Sequence, residues 1–114
     1  MRDRQRLEHM LQAAEDALAF VHDRTRVDLD HDRILQHALV HCVQVIGEAA
    51  ARTTELGRTR VPDLPWPKMV GMRHILVHDY FRVDYDALWR VVVEHLPGMV
   101  ESLKTGLNKW PSQD

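Results

Sequence analysis

Arg73, His74 and His78 lie close together in the segment Arg73-His74-Ile75-Leu76-Val77-His78-Asp79-Tyr80. An imidazole titrates near neutral pH, so it can take a proton and give one back within a single reaction cycle. A guanidinium stays charged and presents a planar fork of donors to the oxygens of a phosphate or carboxylate. Together these residue types suit proton transfer beside a centre on which negative charge develops.

The rest of the sequence offers fewer reactive groups. Cys42 is the one cysteine and sits among apolar neighbours, which excludes an internal disulfide and a cysteine-based zinc site. Eight histidines are the compositional anomaly. His37 with His41, and His74 with His78, have the i, i+4 spacing of a helical metal pair. No Glu-x-x-His accompanies them, and the reading is of a site with no metal and no cofactor.

These side chains must be positioned by helices. Leu7, Met10, Leu11, Ala14, Leu18 and Val21 recur at helical spacing and predict a first helix over about residues 3–22. Ile34, Leu35, Ala38, Leu39, Cys42, Val45, Ile46, Ala49 and Ala50 predict a second over about 30–56. Gly47 costs about 1 kcal/mol relative to alanine inside that helix, which points to a close backbone approach, and Gly57 reads as its stop. Residues 57–64 read as a loop, with Asp63 as N-cap and Pro65 in the first turn of a third helix over about 65–78. Asp84 caps a fourth helix carrying Leu88, Val91, Val92 and Leu96, which Pro97-Gly98 should kink or split near residue 96. The expectation is an all-α fold, an antiparallel up-and-down bundle of four main helices forming a single domain over residues 1–114.

On a third helix reaching residue 78, Met69, Met72, Ile75 and Leu76 form the core side, while Arg73, His74, Val77 and His78 face away from it. Arg73 and His78 would then stand about 140° apart around the axis, wide for one site. A symmetric pair of chains meeting through this face, with Val70 and Val77 as apolar contacts, would close the gap and gather two arginines and up to four histidines. Such a cleft suits RNA cleavage: a histidine takes the proton of a ribose 2′-OH, a histidine protonates the leaving oxygen, and Arg73 stabilises the phosphorus oxygens. Glu48 reads either as an ordinary helix pair with Arg52 or as support for this cleft from the second helix. Tyr80 either packs beside Phe81 or offers its hydroxyl for chemistry, and Trp66 and Trp89 read as core anchors rather than base-stacking platforms.

Composition narrows the function classes. With 114 residues, 28% of them charged, and a net charge of −2, the chain is not a generally basic nucleic-acid binder. Residues 50–74 nevertheless hold Arg52, Arg58, Arg60, Lys68 and Arg73 against Glu55 and Asp63, a local positive excess that could attract phosphate. No uninterrupted apolar run approaches the ~18 residues of a membrane span, and the charged start Met1-Arg2-Asp3-Arg4 does not read as a signal peptide. The expected location is the cytoplasm, without membrane association.

The spacing Arg73–His78–Tyr80 resembles the signature of the HepT-like family of HEPN-domain toxins. Leu7-Glu8-His9-Met10, Ile46-Gly47-Glu48-Ala49-Ala50, Pro65-Trp66 and Gly71-Met72-Arg73 agree with that family in order and spacing, so the resemblance covers nearly the whole chain. It implies an all-helical homodimer acting on RNA as a metal-independent endoribonuclease, with Arg73 and His78 at the dimer cleft. It also implies a minimal nucleotidyltransferase as antitoxin partner, which neutralises the toxin by adding AMP to Tyr80. His74 stands where the family often has asparagine. Two other functions fit the residues: a non-catalytic helical subunit that binds a nucleotide or a nucleotidyltransferase partner, and a structural bundle with incidental histidines.

Overall fold

A computed structural model describes residues 1–75, 77–79 and 82–112, without the side chains of residues 75, 77–79 and 82. The first long helix, α1 (Asp3–Val21), buries Leu7, Met10, Ala13, Ala14 and Ala17, which keep the i, i+3/i+4 spacing read from the sequence. The second expected helix is three pieces: α2 (Arg26–His31), α3 (Arg33–Arg52) and α4 (Glu55–Thr59). Capping residues make the divisions. Thr25 and Asp28 form a capping box on α2, the Asp32 carboxylate accepts from the Leu35 N–H at 3.0 Å to start α3, and the Thr54 hydroxyl accepts from the Gly57 N–H at 3.3 Å in α4.

Gly57 therefore lies inside a short helix and does not end a long one. None of the described glycines has a positive φ. What the position requires is space, because a Cβ there would come within 2.5 Å of Asp3 Oδ2. Asp3 itself bonds the Thr54 N–H and hydroxyl, tying the start of α1 to the start of α4.

The third long helix, α5 (Trp66–Ile75), packs against α3, which also packs against α1. Asp63, expected as its cap, accepts instead from the Ser102 hydroxyl at 2.7 Å. The Trp66 ring is buried and its indole N–H donates to the Val61 carbonyl at 3.0 Å. Its role as a core anchor is as expected.

Helix α5 stops at Ile75, three residues short of the expected end. Val77–Asp79 form a strand, β1, paired antiparallel with β2 (Arg82–Val83), with Val77 opposite Val83. β-Branched valines at the paired positions favour this extended backbone over another helical turn.

The last long helical unit begins with α6 (Tyr85–Arg90), whose first turn is capped by Asp84 accepting from the Ala87 N–H at 3.0 Å. It continues through a π segment, Val91–His95, into α7 (Leu96–Asn108). Pro97 explains the interruption expected at this place. It has no N–H for the carbonyl four residues back, and its ring crowds that carbonyl. The chain widens locally, and the Leu96 N–H reaches back five residues to the Val91 carbonyl.

The result is an all-α bundle with a two-stranded appendage. Its core joins Leu7 and Met10 of α1, Leu39, Val43 and Ile46 of α3, Met69 of α5, and Leu88, Leu96 and Leu103 of the last unit. Among the described residues, α3 alone is long and apolar enough to cross a membrane, and its apolar face is taken up by α1 and α5. Cys42 lies in this core, where burial pushes its thiol up to about 11 and keeps it protonated.

Candidate functional site

The site is built where α3 and α5 touch. A Cβ on Gly47 would lie 2.7 Å from Arg73 Cγ and 2.9 Å from the Arg73 backbone nitrogen, distances that no real side chain tolerates. Gly47 thus has the close-approach role suggested by the sequence, and what approaches it is Arg73. The next residue completes the arrangement: Glu48 Oε1 accepts from the Arg73 guanidinium at 3.2 Å, while its Oε2 lies 3.6 Å from Arg52 Nε. One carboxylate thus pairs with Arg52 on its own helix and reaches Arg73 on the neighbouring one.

Arg73 is not turned wholly outward, as projection on a longer helix had suggested. Its stem lies across α3, its side chain is 34% exposed, and its buried Nε has no hydrogen-bond partner. A guanidinium in this position retains donor capacity for an anion beyond Glu48.

His74 goes elsewhere. It is exposed and lines a groove between α5 and the α6–π–α7 unit, together with Lys68, Arg90 and His95. The structure brings Arg73 and Glu48 together and separates His74 from them. The backbone of His78 lies in β1, off the helix, so the 140° angle expected between Arg73 and His78 does not exist, and the geometric case for a second copy lapses with it. The side chain of His78, and Tyr80 altogether, lie outside the described residues. Tyr85, the other tyrosine, is partly buried and donates its hydroxyl to Gln36 Oε1 at 3.1 Å.

Two members of the local cationic cluster have structural roles. Arg58 lies over the Trp66 ring at 5.5 Å and donates to the Ala50 carbonyl, and Arg60 lies over the Trp110 ring at 5.1 Å. Arg52, Lys68 and Arg73 remain to face a ligand. Among the described residues no three histidine, cysteine or carboxylate side chains gather as a metal site.

Comparison with known proteins decides the family. Residues 10–105 match the family described as Ribonuclease HepT-like, a span that holds the Gly47–Glu48–Arg73 contact entire. The chain belongs to the HepT-like ribonuclease family. A relative from Methanocaldococcus jannaschii, named as a candidate RNase, is 34% identical over 88 residues, which make up 77% of this chain and 81% of the relative. Another candidate RNase, from Caldanaerobacter subterraneus, is 32% identical over 90% of this chain and 92% of its own. A protein of Thermococcus cleftensis named as a candidate ribonuclease HepT is 32% identical over 82% of this chain and 84% of its own. No solved structure matches the chain significantly.

The sequence reading missed a cavity beside the Glu48–Arg73 contact. About 390 Å³ in volume, it lies between α1 and α3 and is bordered by Arg6, His9, Gln44, Glu48 and Arg52. The i, i+4 series Gln44, Glu48, Arg52 and the i, i+3 pair Arg6, His9 were available as signals. Each looks like an ordinary solvated helix face until the two helices are placed side by side.

Proposed function

We propose that the protein is a metal-independent endoribonuclease toxin, a single HepT-like HEPN domain that works in the cytoplasm as a homodimer. Arg73 stabilises charge on the phosphorus oxygens. His78 removes the 2′-OH proton, the freed oxygen attacks the phosphorus, and the bond to the 5′ oxygen breaks as the second copy's histidine protonates that leaving group. The products are a 2′,3′-cyclic phosphate and a 5′-hydroxyl. Glu48 holds Arg73 in place. The observation that carries this reading is the seat of Arg73 over Gly47, with a carboxylate to orient it and part of its side chain open to solvent, in a chain whose relatives are named as RNases.

The test is cleavage of total cellular RNA by the purified protein in excess EDTA. Cleavage should persist and leave cyclic phosphate ends, and oligonucleotides with 2′-deoxy at the cut position should resist. Loss of activity on chelation, restored by added metal, would refute the mechanism.

Control is assigned to Tyr80, as the acceptor of AMP from a minimal nucleotidyltransferase antitoxin. Each added AMP brings a phosphodiester charge that competes with RNA for Arg73. Intact-mass spectrometry after incubation with the partner and ATP should show steps of about 329 Da on the wild type and none on Tyr80→Phe. Equal addition to the variant would move the acceptor to another hydroxyl.

A further inference from the structure

We propose that the α1–α3 cavity is a second phosphate subsite, in which Arg52 and His9 hold the RNA phosphate next to the one engaged by Arg73. The inference rests on the reading of the protein as acting on RNA. Arg73 and Arg52 bind the two oxygens of one carboxylate, Glu48, at 3.2 and 3.6 Å. Two guanidiniums are thereby held on either oxygen of one carboxylate, an arrangement that a strand can meet with neighbouring phosphates, one to each arginine. The cavity continues from Glu48 away from Arg73, so a strand laid on Arg73 runs into it.

The side chains around the cavity divide the work. Arg6 is committed: its guanidinium donates to the Arg52 carbonyl and lies 3.6 Å from Asp3, which makes it a wall of the cavity. Arg52 is free to bind. Its side chain is 72% exposed, and Glu48 is its one partner among the described residues. His9 is exposed on the facing helix. Val45 and Ala49 supply a half-buried apolar floor on which a sugar can rest. Against Arg6, Arg52 and Arg73 stand Glu48 and Asp3, so the local balance is positive before His9 is counted.

The subsite is tested by binding of an uncleavable oligonucleotide, 2′-deoxy at every position, to the full chain as salt is varied. Each phosphate neutralised on a single strand contributes about 0.7 to the slope of log affinity against log salt. Arg52→Ala should lower that slope by about 0.7, His9→Ala should weaken binding less, and Arg52→Lys should restore the slope. Lys104→Ala, which removes the same charge from an exposed pair with Glu15, should leave the slope unchanged. In cleavage assays Arg52→Ala should raise KM with kcat nearly preserved. A wild-type slope in Arg52→Ala, or an equal fall in Lys104→Ala, overturns the subsite. A wild type that binds with the expected slope but does not cut RNA overturns the ribonuclease reading and leaves the subsite standing.

Discussion

Arg73→Ala lowers the rate of RNA cleavage by two or more orders of magnitude while the protein stays folded with near wild-type helicity. The size of the loss follows from removing the guanidinium seated against Gly47 at the α3–α5 contact, since deleting a preorganised stabiliser of developing charge typically costs 10²–10³ in rate. Stability should hold because the Arg73–Glu48 pair is half open to solvent on the Glu48 side and such pairs contribute at most about 1 kcal/mol. Arg73→Lys keeps the charge but not the planar fork, so it should recover only part of the rate. His78→Ala should lose a comparable factor through proton transfer, and His74→Asn much less. Single-turnover rates read beside circular-dichroism melts decide the matter. Parallel loss of folding and activity would assign Arg73 to the scaffold.

Gly47→Ala is expected to impair cleavage about a hundredfold through geometry alone, although it adds a single methyl. That methyl would meet both the stem and the backbone nitrogen of Arg73, so α5 must move as a body. A shift near 1 Å at a reacting group is enough for such a loss. Overpacking should cost roughly 1–3 kcal/mol, offset by the ~1 kcal/mol that alanine gains over glycine in a helix, leaving a small net destabilisation. Gly71→Ala is the control. It lies on α5 with nothing within 4 Å of its added carbon, and it should gain stability with activity intact. Denaturation midpoints and kcat measured on both variants separate the effects, and a fully active Gly47→Ala would detach the close contact from catalysis.

Much of this arrangement is legible in the sequence because it rests on local rules. The periodicity of Leu7, Met10 and Ala14, the capping role of Asp84 and the disruption before Pro97 each depend on a few neighbouring residues, and each is found where expected. Gly47 is legible as a cost that needs a reason. The reason is not, because it lies twenty-six residues away at Arg73. The end of α5 is missed for a related cause: Ile75, Leu76 and Val77 continue a helical apolar pattern, and what turns the chain into a strand is its pairing with Val83. The same limit hides the roles of Arg58 and Arg60. A cation count cannot tell an arginine lying over a tryptophan from one that faces a ligand. The cavity of Arg6, His9 and Arg52 exists only once α1 and α3 are side by side.

Glu48, shared by two guanidiniums, makes the resting surface behave like a charged ion-exchange resin. The carboxylate acts as a built-in counter-ion that keeps two like charges side by side before any ligand arrives. A strand that docks there meets cations already in register, with no arginine to be ordered anew against its neighbour's repulsion.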